Sequence, residues 1–270
     1  MGDLSARSVG YAVSVLGALF RWLVEQGYST INPFAGVKVR GAARMGPLDK
    51  SRAFSDGEWE RVREVADNLE SSHGWSKAAA ARMRFLLDFG CATGLRASEF
   101  ASSNLGSIDV DGMGDHWLKV EGKGKRAGKV ALPPLARHSV DRYLLERGLP
   151  VTRARWRPET SILGRVDDDD VGAISANRLW VVVKAFFKLA ATTVRDEKPS
   201  LADKLERSSP HWMRHTHASL ALAGGAELTT VRDNLRHASI STTSAYLHVA
   251  DEARAHQIGA IFPIGNRAQK

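Results

Sequence analysis

Between Pro210 and Tyr246 the chain places His211, Arg214, His237 and Tyr246 in one order and spacing, within SSPHWMRHTHASLALAGGAELTTVRDNLRHASISTTSAYLHV. A phenol, with a pKa near ~10, is a poor nucleophile at neutral pH. To attack a phosphate it needs cations over the target oxygens and a proton acceptor beside its own. Arginine and histidine supply both, so the set suits attack by Tyr246 on a held phosphate.

Turn signals say which elements must bring these groups together. Pro210 favours a helix start, which puts His211 and Arg214 on one face. Gly224 and Gly225 end that helix and let the chain fold back. A second helix, about Leu228 to Leu235, delivers His237, and Ser239, Ser241 and Thr242 can cap a short helix carrying Tyr246. His211 and His215, one turn apart, raise zinc as an alternative, but Trp212 stands where a zinc-protease motif needs Glu. No metal is expected, and His215 and His217 read as packing or polar-network residues.

This segment resembles the C-terminal signature of the tyrosine recombinase (phage integrase) family: His211-Trp212-Met213-Arg214, Leu235-Arg236-His237, Thr242-Thr243 and Tyr246. Two further motifs of that family lie upstream. CATGLRASEF, residues 91–100, carries its Thr-Gly-Leu-Arg-x-Ser-Glu pattern. Gly94 breaks the preceding helix there and presents Arg96 at the turn, where a guanidinium fork matches two phosphate oxygens as an ammonium cannot. Glu99 reads as a supporting group that orients the site. DHWLKVEGKGKRAGKVALP, residues 115–133, alternates around a Gly-Lys-Gly-Lys turn and predicts a β-hairpin with a basic tip. The resemblance makes Lys123 the proton donor to the departing 5′ oxygen, with Lys125 and Arg126 as backbone-phosphate contacts.

The resemblance implies the rest of the mechanism. Tyr246 attacks a DNA phosphodiester and leaves a 3′-phosphotyrosyl link, Arg96 and Arg214 clamp the non-bridging oxygens, His211 accepts the phenolic proton and His237 helps hold the phosphate. No cofactor is implied. Expected partners are double-stranded DNA with specific recombination sites, three further protomers making a homotetramer on two duplexes, and an accessory directionality protein. A C-terminal segment, residues 250–262, would be donated to a neighbour. Type IB topoisomerase-like relaxation and a catalytically weak DNA-binding protein are the competing readings. One position departs from the pattern: Arg236 stands where relatives have Gly, at a cost of about 1 kcal/mol if the left-handed backbone is kept. Its side chain is expected to reach a DNA phosphate.

Composition agrees. Lys plus Arg number 38 against 30 Asp plus Glu, giving +8 and a pI near 9.8, which favours a polyanionic partner. The single cysteine, Cys91, excludes an internal disulfide framework and reads as a buried thiol. No uninterrupted apolar run approaches the ~18 to 20 residues of a membrane span, so an intracellular protein, cytoplasmic and nucleoid-associated, is expected, acting for a phage or mobile element.

The expected fold is mainly α with a small antiparallel β-sheet (α+β). Residues 1–45 would be the C-terminal part of a helical core-binding domain, its helix at 5–27 closed by Gly27. Residues 46–53 would be a linker and residues 54–270 the catalytic domain, opened by the capping box Ser55-x-x-Glu58. Leu135 to Arg147 and a Ser175-capped run through Ala191 read as helices. Val151 to Gly172, with its acidic run Asp167 to Asp170, and Arg195 to Ser209 read as polar excursions.

Overall fold

The computed structural model describes residues 6–39, 52–122, 126–164, 173–237 and 243, without the side chains of Arg7, Gly122 and Arg126. It divides into two compact units, Met1–Asp49 and Lys50–Lys270.

In the first unit, apolar residues at helical spacing make α1, Ala6–Glu25, and Gly27 beyond it takes φ 77°. The chain then turns back on the helix. Asn32 Nδ2 donates to Gly17 O at 3.0 Å, and the Phe20 and Phe34 rings lie 5.4 Å apart. No described residue of α1 is buried; Tyr11 is 74% and Trp22 51% exposed. By length and composition α1 could cross a membrane, its window Ser8–Glu25 having a mean hydropathy of 1.2. The demand for an uninterrupted apolar run passes over it, because Arg21 and Glu25 fall inside the window.

The second unit opens with α2, Asp56–Asp67, whose start is fixed as the sequence predicts. Ser55 Oγ accepts from Glu58 N at 3.3 Å and Glu58 Oε2 accepts from Ser55 N at 2.7 Å, the two halves of a capping box. After the short α3, Leu69–His73, comes α4, Lys77–Thr93, the central helix. A helix buried on nearly every side belongs inside a core, and Met83, Leu86, Leu87 and Phe89 are all fully buried. At ~1.5 to 3 kcal/mol for each such side chain, this helix carries much of the hydrophobic stabilisation. Next come α5, Ala97–Ser102, and the strands β1, Ile108–Val110, β2, His116–Gly122, and β3, Arg126–Ala131.

The strands form one antiparallel sheet in the order β1-β2-β3, with Leu118 opposite Val130 and Lys119 opposite Lys129. Alternation puts Leu118 and Val130 in the core. The two lysines on the other face would repel. Each has a local partner instead: Lys119 pairs with Asp109 at 2.8 Å, and Lys129 lies 3.9 Å from the centre of the Trp117 ring, a cation–π contact. β1 has only three residues, too few to show a readable alternation in the sequence.

The remaining helices are α6, Pro134–Glu146; α7, Ala176–Val194; α8, Pro199–Arg207; α9, Pro210–Ala223; and α10, Leu228–Leu235. α6 packs on α4 by stacking Tyr143 on Phe85, centroids 4.5 Å apart. Two expectations are corrected. Arg195 to Ser209 is no mere excursion, because α8 packs against α7 and buries Leu201, Ala202 and Leu205. The segment read as an excursion from residue 151 also enters the core, with Ile162 and Leu163 buried and Ile162 N donating to Ser103 O at 3.0 Å.

Candidate active site

The turn that ends α4 is the seat of the site. Gly94 takes φ 63°, and its N–H closes the helix on Gly90 O at 3.0 Å, the left-handed stop that glycine favours. Space demands glycine as firmly as the dihedral does. A Cβ there would meet Leu235 Cδ2 at 2.6 Å and His217 Cδ2 at 2.7 Å. Helices α9 and α10 can therefore close on the turn only in its absence.

Arg214 extends from α9 into this junction and is 2% exposed. Its Nη1 donates to Gly94 O at 2.7 Å, and its Nη2 donates to Leu235 O at the end of α10. One guanidinium thus joins three segments through neutral carbonyls, which leaves its charge uncancelled by these partners.

Arg96, two residues past Gly94, is the N-cap of α5, and its side chain is 41% exposed. Glu99, one turn on and only 3% exposed, holds it twice, accepting from Arg96 N at 2.9 Å and from Arg96 Nη1 at 2.7 Å. Burial alone would raise the Glu99 pKa. The hydrogen bonds from the Arg96 backbone, from Arg236 and from the Arg96 side chain together outweigh it and hold the carboxyl below its usual range.

His211 lies at the start of α9 and is exposed, the neighbouring side chains crowding only part of its ring. Desolvation comes first among the causes that lower its pKa, followed by the charges of Arg214, Arg96 and Arg52. His237 follows α10 and shares a hydrogen bond through Nδ1 with the Thr243 hydroxyl at 2.8 Å. Burial, then Arg214, Arg96, His211 and Arg236, push it down to about 4. His215, buried and edge-to-face against His211 at 4.5 Å, is pushed down to about 3 by burial and then by His211, Arg52 and Arg214. All three are therefore neutral imidazoles at pH 7. The Cys91 thiol is buried, and its pKa is pushed up to about 12 by that burial. It is inert, as expected.

A further network escapes the sequence reading of the site. His217 Nδ1 bonds Cys91 O at 2.8 Å, its Nε2 faces Asn234 Nδ2 at 3.2 Å, and Asn234 Oδ1 accepts from Ala131 N at 2.9 Å. With Nδ1 protonated, each of the three bonds runs from a donor to an acceptor, and α4, α9, α10 and β3 are tied in one line. Residue type alone marks His217 for a polar network, but nothing in the sequence pairs it with Asn234.

The structure thus brings Arg96, Glu99, His211, Arg214, Arg236 and His237 into one interacting set. Lys123, Lys125, Tyr246 and residues 250–262 lie outside the described residues. Arg126 pairs with Gly122 through its backbone at the root of the hairpin.

Two arginines thus stand around histidines whose pKa values are lowered, on a mainly helical scaffold with one small antiparallel sheet. The chain matches the phage integrase family model over residues 58–253. It is 30% identical over 280 residues to the tyrosine recombinase XerD of Caulobacter vibrioides, which covers 98% of this chain and 80% of that one. It is 31% identical over 253 residues to XerD of Bifidobacterium longum, across 92% and 73% of the two chains. In fold it is similar to the XerH site-specific recombinase bound to palindromic difH substrate in a post-cleavage complex, with a TM-score of 0.59 at 20% identity. That likeness covers 83% of this chain and 58% of the XerH chain. The chain belongs to the phage integrase family, the tyrosine recombinases.

Proposed function

We propose that this chain is a site-specific DNA recombinase that cuts and reseals strands through a covalent 3′-phosphotyrosyl intermediate. The observation that carries the reading is geometric: Arg214, buried on the Gly94 and Leu235 carbonyls, and Arg96, held by Glu99, meet His211 and His237 around the turn at Gly94. Cations aimed at the non-bridging oxygens stabilise the charge that grows as the phosphate becomes five-coordinate. A neutral His211 is in the form that takes a proton.

In the proposed step the Tyr246 hydroxyl oxygen bonds to phosphorus and the bond from phosphorus to the 5′ oxygen breaks. The phenolic proton passes to His211, and Lys123 protonates the departing oxygen. The phosphotyrosyl link retains the energy of the bond broken, so the 5′ hydroxyl of another strand reverses the step and exchanges strands. Lys125 and Arg126 would contact the DNA backbone. The partner is double-stranded DNA carrying specific sites, with four protomers on two duplexes, residues 250–262 passed between neighbours, and an accessory directionality protein. The setting would be the cytoplasmic nucleoid, on the DNA of a phage or other mobile element. Residues 1–45 would serve as part of a core-binding domain and 54–270 as the catalytic domain.

The test is incubation with a nicked duplex carrying a site selected by this chain from random-sequence DNA. A covalent adduct is expected, absent in Tyr246→Phe. Persistence of the adduct in that variant would sink the nucleophile assignment.

A further inference from the structure

Arg236 is the one non-glycine at positive φ among the described residues, with φ 53° and ψ 46°. A strained backbone persists only where its surroundings over-determine it. The cap bonds of α10 account for the main chain: Arg236 N donates to Asp233 O at 3.0 Å and His237 N to Arg232 O at 3.1 Å. They would be made as well or better by glycine, so they do not explain the arginine.

The side chain does. It passes over Gly128 of β3, where a Cβ would lie 2.5 Å from Arg236 Cδ. Beyond that gap its Nη2 donates to Glu99 Oε2 at 2.5 Å. Only 15% of the side chain remains exposed. Glu99 Oε2 is also the acceptor for Arg96 N, and Glu99 Oε1 holds Arg96 Nη1. A carboxylate buried this deeply needs its acceptor sites filled from fixed directions. Arg236 fills the side that Arg96 leaves open.

We propose that Arg236 is a positioning residue for Arg96, acting through Glu99, with Gly128 as the gap that lets it reach. The proposal rests on the recombinase reading for its activity test only. Two segments, the end of α10 and the start of α5, are joined across strand β3 by one side chain that also serves the exposed arm of the clamp. The cost of the left-handed backbone is offset by a charge-assisted bond that glycine cannot make.

The experiment compares the full chain with Arg236→Gly, Arg236→Lys, Gly128→Ala and the double variant, on the nicked selected duplex in single turnover. Arg236→Gly removes backbone strain and should melt no lower than the unaltered protein, yet cleave about 10 to 100 times more slowly, because small misplacements of a clamp are costly in rate. DNA affinity should stay within about two-fold. Arg236→Lys should recover part of the rate. Gly128→Ala should slow cleavage in the Arg236 protein and do nothing further beside Arg236→Gly. A fall in DNA affinity and in its salt dependence, with the rate at saturation unchanged, would make Arg236 a phosphate contact and overturn the proposal. Additive effects of Gly128→Ala and Arg236→Gly would overturn it too. If the unaltered protein forms no adduct, the recombinase reading fails by itself. Amide hydrogen exchange then decides: Arg236→Gly should lose protection at Arg96 N–H, and unchanged protection there refutes the brace.

Discussion

Arg214 and Arg96 are held by opposite means. Arg214 is buried and bonded to two backbone carbonyls, whereas Arg96 stands 41% exposed on a carboxylate that it shares with Arg236. Carbonyls orient a guanidinium without cancelling its charge, and a carboxylate does both. Accordingly, Arg214 is among the causes that depress all four of His211, His215, His217 and His237, while Arg96 is among those for His211 and His237 only. One arm of the clamp is part of the core and sets the field of the site. The other is a surface arm that must be steered.

The largest expected effect sharpens that difference. Arg214→Lys and Arg96→Lys should each reduce adduct formation by about a hundred-fold or more, since each removes a fork aimed at the phosphate. Their stabilities should part. Arg214→Lys strands the buried Gly94 and Leu235 carbonyls and should cost roughly 2 to 6 kcal/mol in urea titrations, at ~1 to 3 kcal/mol for each unsatisfied group. Arg96→Lys keeps a charge at an exposed position and should cost about 1 kcal/mol or less. Equal losses from the two would erase the contrast.

That contrast is only half legible in the sequence. Arg96, Glu99, His211, Arg214 and His237 stand out through the motifs that resemble the family's, and local signals mark two of their turns, Gly94 at a helix end and Pro210 at a helix start. The capping box at Ser55 and the hairpin flanking Gly122 and Arg126 are readable for the same reason, each being decided within a few residues. What fails is decided at long range. Helix α8 looks polar because Leu201, Ala202 and Leu205 are its whole buried face and α7 supplies the other side. Arg236, expected from sequence to reach a DNA phosphate, also has a partner that no local signal reveals. Its partner Glu99 lies 137 residues away in the chain, and its path depends on a missing Cβ at Gly128.

A second, smaller effect follows from the buried side of the comparison. His215 has its pKa pushed to about 3 and His237 to about 4, from an ordinary 6.5. Below pH ~6.5 the unfolded chain takes up protons that the folded chain refuses, so stability is lost as pH falls toward the folded values. Glu99, depressed as well, is protonated in the unfolded state first and adds to the loss below its ordinary pKa of 4.5. Thermal or urea stability should therefore decline from pH 6.5 to 4, by up to about 1.4 kcal/mol per pH unit for each histidine. His215→Gln should flatten the slope by about one proton's worth. An unchanged slope would mean that His215 is charged in the folded protein and that burial does not exclude its proton.

The smallest effect concerns how the Arg214 side reaches the hairpin. Asn234 joins His217 to Ala131 N on β3, all through part-buried contacts. Asn234→Ala leaves the Ala131 N–H and the His217 Nε2 unpartnered at once and should cost about 1 to 2 kcal/mol. In a cycle with His217→Ala the two losses should fall short of additivity by about 0.5 to 1 kcal/mol, since either change breaks the same bond. Cleavage should slow by only a few-fold, because the network orients the strand that leads to Lys123 without touching Arg214 or Arg96. A slowing as large as that of Arg96→Lys would place the hairpin, rather than the exposed arginine, as the arm of the site most in need of steering.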